Sequence, residues 1–274
     1  MLNIIVFSKD RASQLELFIR SMKFYFKEFS QYKINILYTY SSDKYREGYE
    51  KLFSIHNDIN INYIKEVQDF KRHVIFLLDL ENPYTIFFVD DIVFKNLFTL
   101  DCKQFKLFTL NGDILTLSLR LHPYLTYCYA ARIRMVSPNF DSNLLFKWQG
   151  MQGDYGYPMS LDGHFFRTRE IAAITKVLTF NNPNSYESIL AGYPLNRLKM
   201  ICFEESIIMN NPINKVQTFN NNVHGNISAL FLNDKFLEGY IIDLEDFKGL
   251  KNSSCHQEID VRLIKRISLD ETKV

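Results

Sequence analysis

Two adjacent carboxylates, Asp90 and Asp91, close the apolar run Ile86-Phe87-Phe88-Val89. Neighbouring side chains on a strand point to opposite faces, so a strand continuing through both would drive one carboxylate into the core. Burying an unpaired carboxylate is very costly. The pair therefore belongs at the carboxyl end of a strand, where open α/β sheets bind their ligands. Carboxylates in that position suit Mg2+ or Mn2+, hard ions that also take phosphate oxygens. The alternative is a solvated strand end with a helix cap.

Other residues could take part. Asp162, in Ser160-Leu161-Asp162-Gly163-His164, and Glu187, after Asn182-Pro183-Asn184, are candidates to take a proton from an attacking hydroxyl. Their structural alternatives are a turn residue for Asp162 and a helix-dipole partner for Glu187. The stretch Trp148 to His164 combines glycines, aromatics and polar side chains. Aromatic faces beside hydrogen-bonding groups suit sugar rings, and a glycine-flexed loop could close over a ligand; packing of Trp148 on the core is the alternative. His224 and His256 stand in polar loops, and a neutral imidazole suits Mn2+ beside carboxylates. His122 and His164 are read as lining the cleft, His56 and His73 as structural. The four cysteines lie far apart without a CxxC pair, which reads as reduced thiols.

The elements that must position these groups follow from periodicity. Asn3 to Ser8 is apolar on both faces, as in a buried parallel strand. Ala12 to Lys27 has helical spacing, with Ser13 as its N-cap. Strands at 34–40, 59–64 and 84–89 alternate with helices at 44–55 and 69–80. The order β-α-β-α-β-α-β predicts a parallel sheet with right-handed crossovers. Beyond residue 95 the rhythm changes. A strand is expected at 114–121, a loop-rich segment at 136–163, a short strand at Phe165-Phe166, and helices at 167–177 and 184–191. An apolar stretch lies at 200–209, the third acidic pair Glu204-Glu205 within it reads as a strand start, and a helix is expected at 229–240. No repeat or Gly/Ser linker interrupts the chain, so one α/β domain is expected over 1–274. Residues 1–100 form its nucleotide-binding half and 101–274 an irregular half.

Composition narrows the classes. The 274 residues are 47% hydrophobic and 23% charged, which excludes a disordered or low-complexity chain. A formal charge of +1 gives no basic excess for a nucleic-acid binder. The opening residues lack a signal peptide's basic start and apolar run, and apolar runs fall far short of a bilayer span. A soluble or at most peripheral protein is expected. The tail Val261 to Ile267, alternating basic and apolar residues, is the segment that could touch anionic lipid; it is short for that, and a solvated last helix or strand is the alternative.

A first strand with a short polar loop, two further βα units and a strand ending in acids near residue 90 together resemble the GT-A glycosyltransferases, in particular bacterial family-2-like ones. Their DxD signature reads Val89-Asp90-Asp91 here, without the first acid. The resemblance implies a GT-A fold: a Rossmann-like half with a mostly parallel sheet, then an acceptor-side half. It implies transfer of a sugar from a nucleotide-diphosphate sugar to a glycan or lipid-linked glycan hydroxyl. The setting it implies is bacterial surface polysaccharide synthesis, in the cytoplasm or at the inner face of the membrane. By that resemblance Asp91 binds Mn2+ or Mg2+, and His256, or else His224, completes the metal shell. Asp90 contacts ribose or the ion through water. Ser8, Asp10 and Arg11 hold base and ribose, and Lys71 faces the diphosphate. Glu187 is the base of an inverting reaction, while Asp162 grips donor or acceptor.

Two other functions suit an α/β chain of this order. A sugar nucleotidyltransferase would carry a Gly-rich loop after the first strand, and Ser8-Lys9-Asp10-Arg11-Ala12 has no glycine. A non-catalytic glycan- or nucleotide-binding module on the same fold is the third reading. GxxxxGK[ST] and GxGxxG are both missing, which excludes P-loop and Rossmann-dehydrogenase sites.

Overall fold

The computed structural model describes residues 2–215 and 223–266. Asn220 to Asn222, which precede His224, and Ile267 of the basic tail lie outside the described residues.

The first ninety residues form β1 (Leu2–Lys9), α1 (Ala12–Tyr25), β2 (Ile34–Thr39), α2 (Asp43–Ile55), β3 (Ile61–Lys65), α3 (Phe70–Leu77) and β4 (Tyr84–Val89). The expected alternation is therefore present. β1 is apolar on both faces because both are covered. Ile4 and Val6 join one core layer with Leu15 and Phe18 of α1, while Ile5 and Phe7 join the opposite layer with Phe70 and Val74 of α3.

The later half supplies β5 (Ile92–Phe94), α4 (Lys103–Leu110), β6 (Ile114–Ser118), β7 (Tyr127–Cys128), β8 (Ile133–Arg134), β9 (Leu145–Lys147) and β10 (His164–Arg167). It continues through α5 (Thr168–Val177), α6 (Pro183–Ala191), β11 (Lys199–Ile201), β12 (Ile208–Asn210), α7 (Ala229–Leu237), β13 (Tyr240–Ile242) and β14 (Leu263–Lys265). Among the described residues the main sheet runs β3-β2-β1-β4-β10-β6-β11-β9. β1 to β4 are mutually parallel, β10 is antiparallel to β4 and β6, and β9 closes the far edge antiparallel to β11. The sheet is thus mostly parallel, the architecture the resemblance implies.

The chain runs outward from β1 through β2 to β3, then returns to place β4 on the other side of β1. Such a reversal opens a crevice beyond the carboxyl ends of the strands. Ser8 to Arg11 follow β1 and Asp90-Asp91 follow β4, so both groups border that crevice.

Several boundaries differ from expectation. α1 begins after Arg11, whose side chain makes no cap bond, so Ser13 lies inside the helix rather than capping it. Ile59 is fully exposed in a turn, and β3 starts at Ile61. β6 ends at Ser118 instead of reaching Leu121. The apolar stretch 200–209 is two strands, β11 and β12, with Glu204-Glu205 in the turn between them. The helix expected at 229–240 stops at Leu237, because Gly239 turns the chain with φ +91° into β13. β5, α4, β7, β8 and β9 add to the expected elements; each is short and contributes few periodic positions. The basic tail pairs as β14 with β13. Among the described residues no helix is long and apolar enough to cross a membrane.

Candidate functional site

The crevice is a cleft of ≈ 520 Å³. Its floor is built from the loop after β1 and the end of β4. Asp90 is buried, and its Oδ2 accepts hydrogen bonds from Ser8 Oγ (2.9 Å) and the Lys9 backbone N–H (3.0 Å). Because Ser8 donates to Asp90, the Tyr49 hydroxyl, 2.7 Å away, donates to Ser8. Arg11 Nη1 reaches Asp90 Oδ1 at 3.0 Å and Asp91 Oδ2 at 3.3 Å. The rest of its guanidinium is fixed by Asn214, with Nε donating to Oδ1 (2.8 Å) and Nη2 to the carbonyl (2.6 Å). Asn210 Nδ2 donates to Asp91 Oδ1 at 2.9 Å. Burial and the adjacent Asp91 charge push the Asp90 carboxyl up, and Arg11 opposes them.

The facing wall carries Asp162 and Glu187. Asp162 precedes Gly163, whose backbone is left-handed (φ +71°) and whose N–H donates to the Phe87 carbonyl at 2.8 Å. A Cβ at Gly163 would stand 2.1 Å from Ile208 Cδ1, so any other residue there must displace that side chain and hold a left-handed backbone. Asp162 Oδ2 lies 3.1 Å from Arg120 Nη1 and 3.4 Å from His256 Nε2. Arg120, 2% exposed, also faces Asp154 Oδ1 at 3.4 Å. Burial works against the Asp162 charge, but His256 and Arg120 outweigh it and hold the carboxyl low. Burial likewise works against the His256 cation, and Asp162 outweighs it to raise the imidazole.

Glu187 sits on α6, which Pro183 starts and an Asn182–Ser185 capping box secures. Its Oε1 accepts from Ser160 Oγ (2.8 Å) and the Leu161 N–H (2.9 Å), while Oε2 has no partner among the described residues. Burial and the Asp162 charge push this carboxyl up.

A third region flanks the β2–β3 end of the cleft, with Leu37, Thr39, Tyr40, Ser41, Glu66 and Phe70 on its surface. Burial pushes the Glu66 carboxyl up against the pull of His73 and Lys9.

The structure brings Ser8, Arg11, Asp90, Asp91, Asp162, Glu187, His224 and His256 to one cleft. Two expected residues lie elsewhere. Lys71 Nζ donates to the Lys176 (2.9 Å) and Leu178 (2.6 Å) carbonyls, tying α3 to the end of α5 away from the cleft. Asp10 (φ +57°) accepts from the Ser41 N–H at 2.7 Å and so shapes the β2–α2 loop behind the cleft wall. The aromatic loop is also corrected. Trp148 Nε1 donates to the Arg197 carbonyl and Tyr155 is fully buried, so these rings pack inward; of this stretch only Leu161 and Asp162 reach the cleft. His122 and His164 are buried against backbone carbonyls and do not line it.

The donor set bears on the metal expectation. Both Asp91 oxygens already have partners, Arg11 and Asn210, and His256 is turned to Asp162. Among the described residues no three His, Cys, Asp or Glu side chains are grouped to hold a metal ion. The Arg11 guanidinium bridges the two carboxylates on this floor. Arranged in this way, the residues do not fit a resident divalent ion.

Arg120, Asn210, Asn214 and Glu66 escaped the sequence reading. Arg120 left a signal: a cation directly after the apolar alternation Ile114 to Leu119, where it needs a buried acid. The asparagines left none, because their role is set by partners some 119 and 203 residues away.

No protein-family model matches the chain. Over 217 residues it is 29% identical to the bifunctional glycosyltransferase pgtA of Dictyostelium discoideum, a match covering 68% of this chain and 27% of that protein. The chain thus spans about a quarter of that relative's length. Among solved structures it is similar to Staphylococcus aureus TarS (TM-score 0.42, 11% identity, 74% of this chain and 36% of that one). It is also similar to a cytidylyltransferase from Leptospira borgpetersenii (TM-score 0.37, 11% identity, 72% and 76%).

Proposed function

We propose that the chain is a glycosyltransferase that moves a sugar from a nucleotide-diphosphate sugar to a hydroxyl of a glycan or glycolipid. The observation that carries this reading is Glu187, held by one oxygen with the other unengaged, on the wall opposite the Arg11–Asp90 floor. The 29% identity to a glycosyltransferase supports it.

In this reading the diphosphate lies over the floor. Arg11, paired with Asp90 and Asp91 and fixed by Asn214, keeps one Nη2 N–H to donate to a phosphate oxygen of the leaving group. Glu187 Oε2 takes the proton of the acceptor hydroxyl as its oxygen bonds to the sugar's anomeric carbon. The bond from that carbon to the phosphate oxygen breaks, and the nucleoside diphosphate departs with its electron pair. A raised carboxyl is a stronger base when ionised, which suits Glu187. Asp162, kept ionised by Arg120 and His256, faces charge developing on the sugar ring.

The test incubates the chain with GDP-, UDP-, CDP- and ADP-sugars and hydroxyl acceptors and follows nucleoside diphosphate release together with acceptor glycosylation. Acceptor-dependent release with a glycosylated product supports the reading. Release without transfer, or none from any donor, overturns it.

A further inference from the structure

We infer that the base of the donor nucleotide is guanine, read by the carboxylate of Glu66; this rests on the nucleotide-sugar reading above. In the sheet order β3-β2-β1-β4, three strand steps separate the end of β4 from the end of β3. At about 4.8 Å per step the two ends stand roughly 14 Å apart. A nucleotide whose diphosphate lies over Arg11 and Asp90 therefore reaches the β2–β3 flank with its base.

That flank differs chemically from the floor. Leu37, Phe70 and the Tyr40 ring offer apolar surface to a flat aromatic face. Lys65 steadies Tyr40, with Nζ donating to its hydroxyl at 2.5 Å and standing 4.3 Å from the ring centre. Glu66 follows β3 directly, its backbone N–H fixed on the Tyr38 carbonyl at 2.8 Å. Its carboxylate lines the cleft and has no hydrogen-bond or ion-pair partner among the described residues.

An ionised carboxylate only accepts hydrogen bonds, through two oxygens in one plane. Guanine presents two donors side by side, N1–H and the 2-amino group, which satisfy both oxygens. Uracil flanks its single N3–H with two carbonyls that would face the oxygens. Adenine and cytosine each set one amino group beside a ring-nitrogen acceptor. A site built for two donors discriminates strongly against a ligand that lacks them.

The test measures GDP, UDP, CDP and ADP binding by calorimetry to the wild-type chain, Glu66→Gln and Glu66→Ala. Glu66 is partly exposed and has no described partner, so both variants should fold, which thermal melts check. GDP is expected to bind about 10- to 100-fold more tightly than the others, and both variants should lose that preference. A preference for another base, or a GDP preference that survives in both variants, overturns the guanine assignment and leaves the nucleotide-sugar reading standing. No binding of any nucleotide overturns that reading, and this inference with it.

Discussion

Asp162 and Glu187 face one cleft with opposite proton affinities: Arg120 and His256 hold the first carboxyl low, while burial and the Asp162 charge push the second up. Environments that push two carboxyls apart assign them different work. In the proposed reaction Asp162 is the fixed negative charge and Glu187 the group that exchanges a proton.

Glu187→Gln keeps an acceptor for Ser160 and Leu161 but cannot take a proton. Its kcat is expected to fall about 100- to 10,000-fold, with nucleotide affinity changed little. Steady-state kinetics beside calorimetry check this. An unchanged kcat would remove Glu187 as the base.

Chelation separates Arg11 from a metal ion as the charge on the cleft floor. With the guanidinium already bridging Asp90 and Asp91, nucleoside diphosphate affinity is expected to stay within about threefold after EDTA treatment, under 1 kcal/mol. A loss on chelation, restored by Mn2+, would show that ligand binding draws Asp91 away from Arg11 to a metal.

His164 is fully buried, and burial followed by the Arg120 charge pushes it down to about 3. Its ordinary value is 6.5. Between these values the unfolded chain binds a proton that the folded chain refuses, so stability rises with pH and is lost as pH falls from about 6.5. The loss is about 1.4 kcal/mol per pH unit, or roughly 3 °C in Tm for a chain of this size. Thermal melts from pH 7 to pH 4 should show it, with a smaller slope in His164→Gln. An equal slope in that variant would place the effect elsewhere, with His122, pushed down to about 4 by burial and then Lys95, as the next group.

Gly163→Ala adds a Cβ at positive φ against Ile208. Left-handed strain and overpacking together are expected to cost about 2–4 kcal/mol. A Tm within 2 °C of wild type, on the scale of less than 1 kcal/mol, would mean that Ile208 gives way easily.

The first half of the fold was legible because each βα unit is local: apolar period 2, polar turn, apolar period 3.6. The Asp90-Asp91 pair was legible for the same reason, standing where a buried strand has to stop. Lys71 was misplaced because helix periodicity gives a face but not the carbonyls that face meets, here those ending α5. Trp148 and Tyr155 were misassigned because a run of glycines and aromatics looks the same whether its rings turn outward or inward. Arg11's bond to Asn214 and Asp162's approach to His256 depend on tertiary closure that no local pattern encodes.

Arg11 and Asn214 stand 203 positions apart in the chain. At roughly 5–20 residues per second of synthesis, about 10–40 s pass between their appearances. During that interval β1 to β4 can pair while Arg11 has only its two aspartates. His256 emerges later still, so the second partner of Asp162 follows that of Arg11. Completion of the cleft therefore comes after the parallel strands β1 to β4 are available to pair.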